Sequence, residues 1–182
     1  MNFDAQAREA RRWWRELIPD AVTGQRGDRA VLARLRRAAT PLAAAEEAAT
    51  IDLARRLGGG LRTLDDVAVC AAVLAHVRRD DGGPVARRVG PDPRDLNRRP
   101  LVSALRFRRL IQADSPEDKL VQFRRLLALA DHTADVADLA RALLDWSEWR
   151  RREWIFRYYA GEPPARDDDA PAPQPVSEGA AP

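Results

Sequence analysis

Residues Leu101–Ala130 read LVSALRFRRLIQADSPEDKLVQFRRLLALA. The stretch holds two helical patterns that meet at a turn, and each carries the same phrase. The first is Phe107-Arg108-Arg109-Leu110-Ile111 and the second is Phe123-Arg124-Arg125-Leu126-Leu127. Asp114 and Ser115 are candidate N-caps for the second helix, and Pro116 suits its first position. Glu117 and Asp118 follow where a carboxylate favours the positive end of the helix dipole. At ~100° per residue, Arg106 and Arg109 fall ~60° apart in the gap that the apolar residues leave open. Arg108 projects elsewhere, among apolar neighbours, and is expected to pack its stem or meet a carboxylate. In the second helix Leu120, Phe123, Leu126, Leu127 and Ala130 form one stripe, with Arg125 opposite it and Arg124 at its edge. The segment can bury one side and present guanidinium groups on another.

Outward from this hairpin the chain reads as helix throughout. Phe3–Leu17 carries Trp13 and Trp14, which cannot both face one way, and Pro19 ends it. Asp28 caps a helix from Arg29 to Ala39 with Val31, Leu32, Leu35 and Ala38 inside and Arg29, Arg36 and Arg37 on or near its polar side. Leu42–Leu57 reads as one helix with paired surface charges. Thr63 and Asp66 suggest a capping box for Leu64–Arg78, the most apolar helix and the predicted centre of the core. Residues 80–100 hold four prolines and three glycines. They read as a long loop with a short turn around Val85–Val89, and carry Arg87, Arg88, Arg94, Arg98 and Arg99, to which no specific contact is assigned. A last helix is expected from Ala134 to Ala160, where Trp146, Trp149 and Trp154 suit a packing ridge better than an aromatic cage. Beyond Glu162 the Pro, Ala and Asp content is too polar to offset ordering entropy, so disorder is expected there. The reading is all-α: a single bundle of six or seven helices over residues 1–161, and an acidic tail over 162–182.

Composition narrows the function. The chain has 182 residues, 45% hydrophobic, with a net charge of +3. From Glu162 onward there are one Arg and five acids. Removing these from the totals of 31 basic and 28 acidic residues leaves a body with 30 and 23, a net of +7. Such a body suits an anionic partner, nucleic acid first among them. Every basic residue except Lys119 is Arg, a bias that base composition of the genome also produces. No apolar run has the length of a membrane span. The N-terminus lacks the apolar core of a signal peptide, and a cytoplasmic protein is the expectation. One cysteine, Cys70, and two distant histidines offer neither an internal disulfide nor zinc spacing. No converging set of nucleophile, acid and base appears, so neither catalysis nor a cofactor is expected. His76 reads as a surface or helix-end histidine.

The order of these phrases resembles one family. Trp13-Trp14 stands in the first helix, and Gly27-Asp28-Arg29-Ala30 leads to Leu35-Arg36-Arg37-Ala38. Ser103, Arg106-Phe107-Arg108-Arg109-Leu110, Arg124-Arg125-Leu126 and a closing Trp146, Trp154 and Tyr158-Tyr159 follow. From Phe3 to about Tyr159 the chain is similar to CasB, the small subunit of the type I-E CRISPR surveillance complex Cascade; the acidic tail lies outside the pattern. The resemblance implies an all-helical, non-enzymatic protein. It implies other Cascade subunits, crRNA, target and displaced DNA strands and a second copy of the chain as partners. Carried over by motif, the implied nucleic-acid contacts are Arg29, Arg36, Arg37, Arg106, Arg109, Arg124 and Arg125. Two other readings stay open: a free-standing DNA-binding regulator with Arg29–Ala39 as recognition helix, and a helical adaptor with no nucleic-acid role.

Overall fold

The computed structural model describes residues 2–19, 24–92, 94–95 and 98–160. The boundary expected at 161 and the tail beyond it lie outside the described residues. Within them the fold is all-α, with ten α-helices and one 3-10 turn, Leu61–Thr63. The helices are α1 (Phe3–Leu17), α2 (Arg29–Arg37), α3 (Pro41–Ala45), α4 (Ala48–Arg56), α5 (Leu64–Leu74), α6 (Val85–Val89), α7 (Ala104–Ile111), α8 (Pro116–Leu129), α9 (Val136–Leu144) and α10 (Glu148–Ala160). None is long and apolar enough to cross a membrane.

Helix α5 is the axis of the core. Every residue from Val67 to Ala75 is buried, and α2, α3, α4, α8 and α9 all pack on it. A helix that is apolar all round can be stable only inside such a shell. The expected capping box is absent: the Thr63 hydroxyl instead accepts from the Gly60 N–H at 3.1 Å and donates to the Gly60 carbonyl at 3.0 Å. Helix α1 lays Ala7, Ala10, Trp13 and Trp14 against the interior, largely on α9. Trp13 and Trp14 are both buried, and the Trp13 indole donates to the Ala49 carbonyl at 3.1 Å.

Two expected helices are each divided. The Leu42–Leu57 pattern breaks between α3 and α4, where the Thr50 hydroxyl donates to the Ala44 carbonyl at 2.7 Å. The Ala134–Ala160 pattern breaks at Asp145–Ser147. There Asp145 leaves helical geometry at φ −135°, and the Ser147 carbonyl accepts from the Arg151 N–H at 3.0 Å. A short parallel pair, β1 (Arg79–Asp80) with β2 (Thr133–Ala134), ties the end of α5 to the turn after α8. Asp131 and His132 take positive φ in that turn. Asp80 locks the junction: one oxygen accepts from Arg11 at 2.5 Å and the other from the Val136 N–H at 3.2 Å.

Candidate nucleic-acid interface

The α7–α8 hairpin forms as the sequence dictates. Ser115 caps α8 by accepting from the Asp118 N–H at 3.0 Å, and Pro116 stands at its first position. Helix α7 buries Phe107 and Leu110. Phe107 stacks on Tyr158 of α10, with ring centroids 3.9 Å apart, and the Tyr158 hydroxyl donates to the Val102 carbonyl at 2.6 Å. The turn between α7 and α8 is pinned to the other end of the same region. The Trp146 indole donates to the Ala113 carbonyl at 3.0 Å, and Arg151 meets Asp114 at 2.6 Å. In α8, Phe123 sits edge-on to Trp146 and Trp154, and the Lys119 ammonium pairs with Asp66 of α5. Stacked contacts on α7 and edge-to-face contacts on α8 fix the two helices against α10.

That frame leaves a groove of about 480 Å³ between α7 and α8. Val102, Leu110 and Leu126, all buried, form its apolar floor. Arg106 and Arg109 stand along one side, Gln122 and Arg125 along the other, and no acidic residue lines it. The i, i+3 spacing places each pair on one helical face. Arg106, Arg109 and Arg125 are exposed, and none has an ion-pair partner among the described residues. Three guanidinium groups around an apolar floor can fork onto phosphate oxygens while sugar or base packs beneath. Arg108, expected to pack or pair, is also exposed and has no carboxylate partner among the described residues.

The other expected contacts are placed differently. Arg124 turns away from the groove and spans to α2: its two terminal nitrogens donate to the Ala38 carbonyl at 2.8 Å and the Leu35 carbonyl at 3.0 Å. It thereby satisfies the last carbonyls of α2, which have no partner within that helix. Burial pushes its pKa below the ordinary guanidinium value. Arg36 likewise donates through Nε to the Ala75 carbonyl at the end of α5, at 2.6 Å. Burial, and then the nearby Arg78, lower its pKa. Arg29 and Arg37 are exposed on α2 and do not line the groove. The structure therefore gathers three of the seven expected arginines, gives two to helix ends, and leaves two on the neighbouring helix.

A second basic concavity, of about 430 Å³, adjoins the first. Arg87, Arg88, Arg94, Arg98 and Arg99 line it, with Asp92 the one carboxylate. It closes on Leu101, whereas the groove begins at Val102. The Val102 N–H donates to the Val89 carbonyl at 3.1 Å, which brings the chain at Val102 back to the end of α6. This gathering was hidden in the sequence because it depends on that return. Glycine and proline at Gly90-Pro91 were its signal.

Several other basic residues are neutralised. In the Arg150-Arg151-Arg152 run, Arg150 is buried and pairs with Glu153 and with Asp145 at 3.4 Å. Arg152 pairs with Glu148 at 2.7 Å. Arg56 meets Glu16 at 2.8 Å and Asp52 at 2.9 Å, and Arg34 meets Glu47 at 2.9 Å. Other exposed arginines, Arg29, Arg37 and Arg108 among them, also lack an ion-pair partner among the described residues; what sets the groove apart is that three such arginines line one concavity with an apolar floor. Cys70 is fully buried, and burial pushes its thiol up, away from the nucleophilic thiolate. His76 is half-buried beside His132, their rings nearly parallel and 6.2 Å apart. Burial, reinforced by Arg124 and His132, takes its pKa down to about 4.

No curated protein and no solved structure matches the chain. A family model does: that of the CRISPR-associated protein Cse2 matches residues 5–159, from α1 to the end of α10. The chain belongs to the Cse2 family, the CasB family that its sequence resembles.

Proposed function

We propose that the protein is the small, non-catalytic subunit of a type I-E Cascade complex, and that it grips nucleic-acid backbone in the α7–α8 groove during target recognition. The observation that carries this reading is the trio Arg106, Arg109 and Arg125, unpaired around an apolar floor. Family membership supplies the setting: other Cascade subunits, crRNA, target and displaced strands, and a second copy as partners. Exchanging a DNA duplex for an RNA–DNA heteroduplex is nearly balanced in free energy, so modest contacts to phosphate tip it. Such contacts position a strand without reading its bases, as a subunit that must accept any target requires. Arg29 and Arg37 extend the same role on α2, Arg124 serves the fold, and Arg36 anchors α2 through Nε while its side chain stays exposed on the same helix.

The regulator reading requires groove-reading side chains such as Asn or Gln beside the arginines of α2. Helix α2, Arg29–Arg37, carries none. The test is co-expression with its genomic neighbours. The chain should co-purify with a complex containing short RNA, and Arg106→Ala with Arg109→Ala should weaken target binding by the assembled complex. A chain that never enters such a complex, or a variant complex with full target affinity across a salt titration, would overturn it.

A further inference from the structure

We propose that the basic concavity lined by Arg87, Arg88, Arg94, Arg98 and Arg99 is a docking site for this chain's own acidic segment, Glu162–Asp169, which competes there with nucleic-acid backbone. The docking itself does not depend on the function proposed above; only the competition does. The first observation is charge. Five arginines face one carboxylate in this concavity. Asp92 is already engaged: one of its oxygens accepts from the Arg94 N–H at 3.0 Å, and the other lies 4.0 Å from Arg98. Arg88 pairs with Asp81 outside the concavity. Arg94 and Arg99 have no ion-pair partner among the described residues, so the site carries excess positive charge within a concave wall. Such a site favours an anion with several carboxylate or phosphate oxygens.

The second observation is position. Gly90 lines the concavity and lies directly against the end of α10: a Cβ built on it would fall 2.4 Å from the Tyr158 carbonyl oxygen. Helix α10 ends two residues later, at Ala160. The third observation is the sequence that follows. Residues 162–169 read EPPARDDD, four carboxylates against the single Arg166. The seven residues from Ala160 to Asp167 can span at most ~25 Å. The described chain thus ends close to an unneutralised basic site, and the acidic Asp167-Asp168-Asp169 run follows within that length of sequence. A tether this short raises effective concentration to about the millimolar range, enough for an otherwise weak ionic contact to form.

The consequence is an electrostatic filter. The segment would lower affinity for stray polyanions and yield to a strand held also by the α7–α8 groove, which begins at the next residue after the concavity. The test uses the full chain with a nitroxide at Ala170→Cys, since Cys70 is buried and does not compete for the label. Paramagnetic broadening of backbone amides is read by NMR. At low salt the amides of Arg87, Gly90, Arg94 and Arg99 should lose most of their intensity at every protein concentration. The intensity should return when Asp167, Asp168 and Asp169 are changed to Asn, and also in Arg94→Ala with Arg99→Ala, whose exposed side chains leave the fold intact. The Asn variant should also bind a single-stranded DNA oligonucleotide several-fold more tightly. The proposal is overturned if these amides are not broadened, or if the broadening survives removal of either set of charges. It is equally overturned if the broadening grows with protein concentration, or if the amides respond to the oligonucleotide and not to the segment.

Discussion

Changing Arg124 to Ala and, separately, Arg125 to Ala should separate folding from binding at two adjacent positions. Arg124 donates two charge-assisted hydrogen bonds to carbonyls of α2, at 2.8 and 3.0 Å. Such bonds contribute about 1.5–3 kcal/mol each when nothing replaces them. Water can reach part of this region, because Ala39 and Thr40 are exposed, so the combined loss is discounted to about 2–3 kcal/mol. For a chain of this size 1 kcal/mol moves the midpoint by about 2–4 °C, so Arg124→Ala should melt about 5–10 °C lower. Arg125 is exposed and unpaired, and its loss should stay within about 0.5 kcal/mol. Arg124→Lys should recover little, because one ammonium on a flexible stem cannot fork onto two carbonyls. Thermal melts followed by circular dichroism, with urea unfolding alongside, read both effects. Equal melting of the two Ala variants, or a larger loss for Arg125→Ala, would refute the division of roles.

Three further outcomes follow from the packing. His76 has its pKa lowered from 6.5 to about 4, chiefly by burial. The stability due to its neutral form is complete above about pH 6.5 and is lost as pH falls toward 4, a loss of under ~2 kcal/mol after discounting for its partial exposure. His76→Asn should remove that step from an acid-unfolding series, and an unchanged acid limb would show that another group is responsible. Gly90→Ala drives a Cβ to 2.4 Å from the Tyr158 oxygen and must part α6 from α10; it should cost about 1–3 kcal/mol in a urea titration, and a neutral result would mean that this contact is loose. Arg150→Ala leaves Asp145 without its partner and Glu153 with Arg157 alone; a loss of about 3 kcal/mol, little changed by salt, is expected, whereas a salt-sensitive loss would place the pair in solvent.

The hairpin that organises the chain was readable because its signals are local. The apolar period of α7 and α8, the Ser115 cap and Pro116 are all properties of neighbouring residues. The same holds for Asp28, which caps α2 by accepting from the Val31 N–H at 2.9 Å. Burial of α5 followed from its composition alone. The breaks within two long helical patterns did not follow, because tertiary partners make them. At the second break Arg150 draws Asp145 inward, and Ser147 begins a new helix. The two-residue strands are too short to leave an alternating pattern.

The arginines divide along the same line. Helical phase placed Arg106, Arg109 and Arg125 on open faces, and they are open. It placed Arg124 only at the edge of the apolar stripe, and an edge position faces whichever helix packs alongside. The carbonyls that claim Arg124 lie 86 and 89 residues away in sequence, beyond anything local periodicity can encode. Arg36 meets a carbonyl 39 residues away for the same reason. A motif shared with a family marks that a side chain matters; the packing decides whether it holds a partner or holds the fold.

The most direct measurement is the salt dependence of binding to a single-stranded oligonucleotide, followed by fluorescence anisotropy. The unaltered chain is compared with the triple variant Arg106→Ala, Arg109→Ala, Arg125→Ala. If each guanidinium neutralises one phosphate, the slope of log affinity against log salt becomes shallower by about 2 in the variant, and affinity near physiological salt falls by about 50-fold. The melting temperature should stay where it was. A variant with the slope of the unaltered chain would mean that phosphate is bound elsewhere, and would contradict the role assigned to the α7–α8 groove.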